Sequence, residues 1–274
     1  MERPPTVYLM SGATRGIGLA LVAQLAARPG TLVFSGARNP ASSPALQALA
    51  AQYPGVVHVL QLTVPDEGEA RAAVERAREM AGRLDVVVAN AGLMNAYVPS
   101  DRLPLEAMRE HFEMVNERVN VLGPLVLFQS AWPLLQQSAE PKFVVISSIV
   151  GSLQVGTTFP LPVMAYGTSK AAANWLGRKL HFEYPQLSAF LLFIYVSEDG
   201  GQYQGSVAVP MHPGNVDTDM MAHGFEQAPD FVAKTPPLIT TEESARGILN
   251  VIDAARRDEE GPRLVSFDGS VLPW

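Results

Sequence analysis

Short runs of apolar, often β-branched residues alternate along this chain with longer stretches in which apolar positions recur every three or four residues. The first pattern suits buried strands and the second suits helices packed on one face. Val7–Met10, Thr31–Ser35, Val56–Leu62, Leu84–Ala89 and Phe143–Ser147 predict strands, and Leu19–Ala27, Ala45–Gln52, Asp66–Gly82 and Met164–Phe182 predict helices between and after them. Leu105–Val121 and Leu125–Gln137 read as two helical segments, or as one interrupted near Gly123-Pro124. Further on, Val207–Met211 is expected as a strand, Thr241–Arg257 as a helix and Leu264–Phe267 as a last strand. Strands and helices in this alternation build βαβ units and a parallel sheet. The near-continuous apolar character of the strands means that both sheet faces are covered. The expected class is therefore α/β: one doubly wound parallel sheet with helices on both faces, in a single domain over 1–274. A Met-, Pro- and Gly-containing lid is expected around Asp219–Leu238.

Leu191–Gly205 fits this rhythm least. It reads either as a surface hairpin around Glu198–Gly201 or as extra sequence that the fold tolerates poorly. The longest apolar run, Leu187–Val196, is far short of the ~20 residues that cross a bilayer, so no membrane span is expected.

Composition narrows the function. With 47% hydrophobic and 17% charged residues the chain of 274 residues can bury a sizeable core. A net charge of −7 offers no basic footprint for nucleic acid. No cysteine is present, which excludes a disulfide framework and a thiolate metal site and permits a cytoplasmic setting. The start, MERPPTVYLM, lacks the pattern of a signal peptide. His58, His111, His181, His212 and His223 show no ligand spacing, so no metal is expected.

The candidate chemistry lies at strand ends. Directly after Val7–Met10 comes SGATRGIG, with Gly12, Gly16 and Gly18 leading into a helix. Glycines there allow a tight turn and close approach to a pyrophosphate, and the helix N-terminus supplies amide donors, as in Rossmann-type dinucleotide sites. The second strand ends in Gly36-Ala37-Arg38-Asn39, without the Asp or Glu that would accept from an adenosine ribose. Arg38, together with Arg15 in the glycine loop, suits a 2′-phosphate instead and points to NADP(H) over NAD(H). Tyr166 and Lys170 stand four apart on one helical face, where an ammonium favours the ionised phenol. Ser147 and Ser148 end a strand where a hydroxyl could donate to a developing oxyanion. Such a group suits carbonyl reduction or alcohol oxidation.

Six motifs in order, SGATRGIG (Ser11–Gly18), ANAG (Ala89–Gly92), NVLG (Asn120–Gly123), ISS (Ile146–Ser148), YGTSK (Tyr166–Lys170) and PGNVDT (Pro213–Thr218), resemble the short-chain dehydrogenase/reductase family across the whole chain. The tail from Thr240 to the terminal LPW resembles fungal polyketide ketoreductases. The resemblance implies that Tyr166 is the general acid, that Lys170 lowers its pKa and holds the nicotinamide ribose, that Ser148 steadies the carbonyl oxygen and that Asn120 holds a water in a proton relay. It implies cofactor contacts from Gly12, Thr14, Arg15, Gly16, Ile17, Gly18, Arg38, Asn90, Ala91, Gly92, Pro213, Gly214, Val216 and Thr218. Of these, Val216 and Thr218 would meet the nicotinamide carboxamide and Asn90 would stabilise the sheet at the cofactor's edge. Thr63 occupies the adenine position, where relatives carry an acid. Asn116 rivals Asn120 one helical turn away. The family serine is generally the second of the pair, which favours Ser148. The implied activity is an NADPH-dependent carbonyl reductase acting on a small-molecule ketone, in a homodimer or homotetramer; the apolar segments Leu125–Leu135 and Ala171–Leu180 read either as its seam or as a buried face of the single chain. A cofactor-binding regulator or scaffold and an NAD-dependent alcohol dehydrogenase are the alternatives.

Overall fold

In a computed structural model, the described residues are 4–94, 97–110, 119–159, 161–192, 213, 216–227, 229, 237–256, 264–265, 268 and 270–273. The chain runs β1 (Thr6–Ser11), α1 (Gly16–Ala26), β2 (Thr31–Ala37), α2 (Pro44–Gln52), β3 (Val57–Gln61), α3 (Glu67–Ala81) and β4 (Val86–Ala89). It continues with α4 (Leu105–Glu110), α5 (Gly123–Leu135), β5 (Lys142–Ile146), α6 (Met164–Glu183) and β6 (Ser188–Leu192). Last come α7 (Asp219–Gln227), α8 (Thr241–Ala254), β7 (Leu264–Val265) and β8 (Val271–Leu272). Six strands form one sheet in the order β3-β2-β1-β4-β5-β6, every neighbouring pair parallel. The strand order reverses between β1 and β4, and a crevice opens there at the carboxyl ends.

The alternation within each strand divides the core in two. Tyr8, Met10, Val33, Val86, Val88, Val144 and Ile146 pack on one side with Leu21, Val22 and Leu25 of α1 and Ile248, Leu249 and Ile252 of α8. Val7, Leu9, Phe34, Val87, Phe143 and Val145 pack on the other with Ala70, Ala73 and Ala77 of α3 and Leu127, Phe128 and Ala131 of α5. Both faces are buried, as the apolar strands predict.

Three elements differ from expectation. The sixth strand is Ser188–Leu192, which pairs with Lys142–Ile146 directly after α6 and takes in the first two residues of the odd segment; the rest of Leu191–Gly205 and the whole of Val207–Met211 lie outside the described residues. Leu264–Val265 pairs antiparallel with Val271–Leu272 in a separate two-stranded ribbon and does not join the six-stranded sheet. Residues 119–122 form a π-helical turn that leads into α5, in place of a plain break at Gly123-Pro124. Of the expected lid, Asp219–Gln227 is helix α7.

Candidate active site

At the carboxyl edge, the loops after β1, β2 and β4, the end of β5 and the start of α6 surround a cleft of about 760 Å³. Gly12, Thr14, Arg15, Gly16, Ile17, Gly18, Arg38, Asn90, Ala91, Gly92, Tyr166, Lys170, Pro213 and Thr218 line it. Val216 does not line it; it is buried and bridges Ile239. Gly214 and Asn116 lie outside the described residues.

The glycine loop is shaped by close approach. Gly12 has φ +68°, and a Cβ there would stand 2.8 Å from the Ala91 backbone. A Cβ on Gly18 would collide with the Gly12 carbonyl and stand 2.6 Å from Asn90 Nδ2. Asn90 Nδ2 donates to that carbonyl at 2.9 Å, and Ser11 Oγ accepts from Ala91 N at 3.2 Å. The loop after β4 thereby holds the loop after β1, and the first turn of α1 carries no acidic residue against an anion. A narrow glycine-lined cradle at a helix N-terminus fits a dinucleotide pyrophosphate. Gly18→Ala should lower stability by about 1–3 kcal/mol through overpacking and weaken dinucleotide binding, measurable by thermal melting with and without NADPH.

Arg38 is exposed at the end of β2, and its carbonyl accepts from Gln61 Nε2 at 2.7 Å. Arg15 pairs with Asp219 at the start of α7, a partner 204 residues away that no local pattern reveals. Thr63 N donates to Glu69 Oε2 at 2.6 Å, and Gln61 Nε2 also reaches Glu69 Oε1 at 3.1 Å. Helix α3 thus brings a carboxylate beside the position where the chain itself carries threonine. The spacing Asp66-x-x-Glu69 carries the signal of a capping box. Asp66 does accept from Glu69 N at 2.8 Å, but Glu69 reaches past it to Thr63.

Ser147, Tyr166 and Lys170 line the cleft and Ser148 does not, and all four are buried. The Ser148 hydroxyl acts on the Tyr166 phenol and favours its ionised form, whereas the Ser147 hydroxyl donates to Asn174 Oδ1 at 2.7 Å. The structure therefore brings Ser148, and not Ser147, to the phenol. Lys170 Nζ lies 5.5 Å from the Tyr166 ring centre and donates to the Ile146 carbonyl at 2.9 Å. Burial raises the Tyr166 pKa, and the nearby Ser148 hydroxyl opposes that rise. Burial lowers Lys170 to about 8. The balance differs from the sequence expectation, in which the lysine acidifies the phenol: burial is the largest influence on both groups, and Ser148 supplies the stabilisation of the phenolate.

Asn120 sits in the π-helical turn, the kind of local widening that is frequent at functional sites. Its carboxamide accepts from Leu93 N and donates to the Leu93 carbonyl, each at 3.0 Å, and reaches Ser169 Oγ at 3.1 Å. The side chain ties the loop after β4 to α6. Tyr97, which sequence reasoning passed over, donates to the Met220 carbonyl at 3.2 Å and stands close enough to Tyr166 to act on it electrostatically. Among the described residues no cluster of His, Cys, Asp or Glu could hold a metal. No helix of those residues is long and apolar enough to cross a membrane.

A dinucleotide cradle opening onto a buried serine, tyrosine and lysine accords with what comparison with known proteins finds. The short chain dehydrogenase family profile matches residues 6–197. The chain belongs to the short-chain dehydrogenase family. This short-chain dehydrogenase is 35% identical over 281 aligned positions to a norsolorinic acid ketoreductase of Aspergillus parasiticus, covering 100% of this chain and 93% of that one. It is 37% identical to norsolorinic acid ketoreductase nor1 of Dothistroma septosporum, covering 98% of this chain and 92% of the relative. Among solved structures it superposes with TM-score 0.77 on an NADPH-bound carbonyl reductase from chicken fatty liver, at 27% identity and full coverage of both chains. The chain is an oxidoreductase of this family, with a doubly wound Rossmann-type sheet and marked similarity to the fungal ketoreductases.

Proposed function

We propose that the protein is an NADPH-dependent carbonyl reductase that converts a ketone to a secondary alcohol. The observation that carries this reading is the burial of Tyr166 and Lys170 together, with Lys170 Nζ 5.5 Å from the phenol ring centre, on the wall of a glycine-lined cleft and beside the buried Ser148. The bound nicotinamide would contribute the hydride. The chain's own residues would do the rest. The amide groups of the glycine loop and the N-terminus of α1 receive the pyrophosphate, and Arg38 binds the 2′-phosphate. Lys170 holds ribose hydroxyls, while Ser148 donates to the carbonyl oxygen as negative charge develops on it. Tyr166 gives that oxygen its proton, and Asn120 keeps the loop after β4 in register with α6. Pro213 and Thr218 close the nicotinamide end of the cleft, with Thr218 beside Gly16.

The similarity to fungal norsolorinic acid ketoreductases supports a ketone as substrate, and the NADPH-bound carbonyl reductase supports the cofactor. A regulator needs only the cradle. Titration of nicotinamide fluorescence with NADPH and NADH, followed by NADPH consumption against a panel of aryl and alkyl ketones, tests the proposal. Tight NADPH binding with ketone-dependent oxidation is the expected result; binding without turnover on any ketone would favour the regulator.

A homodimer or homotetramer is part of the same reading. Helix α6 exposes Trp175 (66%) and Phe182 (47%), large apolar groups that a partner subunit would cover. Light scattering should show an assembly of two or four chains, and Trp175→Glu should convert it to smaller species.

A further inference from the structure

Beyond the reacting groups themselves, we propose that Asn174 is a positioning residue that locks the turn bearing Ser148 onto helix α6. This rests on the reading of Ser148 and Tyr166 given above. Tyr166, Lys170 and Asn174 follow one another at intervals of four along α6, so all three face the end of β5. Asn174 is 4% exposed, and both halves of its carboxamide are used. Oδ1 accepts from Ser147 Oγ at 2.7 Å, and Nδ2 donates to the Gly151 carbonyl at 2.9 Å. These two partners bracket Ser148, one residue before it and three after. A rotation of the amide would set Oδ1 against the Gly151 carbonyl, acceptor against acceptor, so that carbonyl fixes the orientation of the carboxamide.

The same turn is held sterically. A Cβ on Gly151 would stand 2.6 Å from the Lys170 carbonyl carbon and 2.8 Å from Ala171 N, so its backbone lies directly on α6. Hydrogen bonding from Asn174 and close packing at Gly151 therefore fix the Ser148 turn at two points against the helix that carries Tyr166. The Lys170 ammonium has a separate anchor, the Ile146 carbonyl at 2.9 Å. Asn174 is thus placed to govern where Ser148 stands relative to the phenol, without touching the cofactor cleft.

The test compares wild type, Asn174→Ala and Asn174→Asp in NADPH affinity, ketone turnover and amide hydrogen exchange. A misplacement of a reacting group by about 1 Å can cost about 100-fold, so Asn174→Ala should lower kcat by about 10- to 100-fold while NADPH affinity stays within about threefold. Exchange of the 149–155 amides should quicken by about tenfold or more, with the amides of α6 unchanged. Asn174→Asp should regain activity as the pH is lowered, because the protonated carboxyl again donates to Gly151 while accepting from Ser147. A folded Asn174→Ala variant with kcat within about twofold of wild type would overturn the proposal, as would a parallel loss of kcat and NADPH affinity. If the alanine variant does not fold, the acid-dependent recovery of Asn174→Asp decides, and its absence would overturn the assignment. A wild type inactive on every ketone would sink the reductase reading, whereas the exchange measurement would still judge Asn174.

Discussion

Replacing Tyr166 by phenylalanine is expected to leave NADPH affinity within about threefold of wild type and to lower ketone reduction by about 100- to 10,000-fold, the usual contribution of a positioned proton donor. The substitution removes one oxygen from a ring that is already buried, so the packing of α6 survives. Ser148 keeps the hydrogen bond from Val150 N, so the melting temperature should change little while activity is lost. Comparison of single-turnover rates at saturating NADPH with cofactor affinity separates the two effects: only the chemical step should fall by orders of magnitude. A residual rate near that of wild type would place the proton donor elsewhere, and Tyr97, the phenol that acts electrostatically on Tyr166, would be the next group to replace.

Arg38→Ala should weaken NADPH binding by about 10- to 100-fold and leave NADH binding nearly unchanged, because a charge-assisted hydrogen bond to a phosphate contributes about 1.5–3 kcal/mol. Two arginines line the cleft, but they stand in different surroundings. Arg15 already has a carboxylate partner in Asp219, whereas Arg38 is exposed at the end of β2 with its backbone held by Gln61. A 2′-phosphate would therefore displace nothing to reach Arg38 and would have to compete with Asp219 for Arg15. The selective loss should also flatten the salt dependence of NADPH affinity, since screening acts on the pair that has been removed. If Arg15→Ala abolishes the preference for NADPH and Arg38→Ala does not, the phosphate grip lies in the glycine loop and the ion pair with Asp219 must open on binding.

Much of this was legible from local pattern. The alternation of short β-branched runs with helical periodicity located β1 to β5 to within one or two residues, because a strand buried on both faces must be apolar at almost every position. The glycine loop and Tyr166/Lys170 were legible for a similar reason, since each chemistry needs its residues at a fixed short spacing. The edge strand was not. Ser188–Leu192 is a strand because Lys142–Ile146 lies beside it, and the neighbouring apolar run to Val196 gives no local sign of where pairing stops. Nor could adjacency separate Ser147 from Ser148. Successive residues of extended chain point to opposite sides, so one serine meets Asn174 and the other meets Tyr166.

What the sequence by itself determined was therefore the kind of fold, the glycine-lined cradle and the pairing of a tyrosine and a lysine on one helix face, because these depend on periodicity and on spacings of a few residues. Only the tertiary structure decided which serine acts on Tyr166, that Glu69 stands beside Thr63, that Asp219 engages Arg15 and that Asn174 joins the turn after β5 to α6. Burial raises the Tyr166 pKa and lowers that of Lys170. Hydrogen-bond partners and desolvation arise from elements that are distant in the chain and come together only when the sheet and its helices pack.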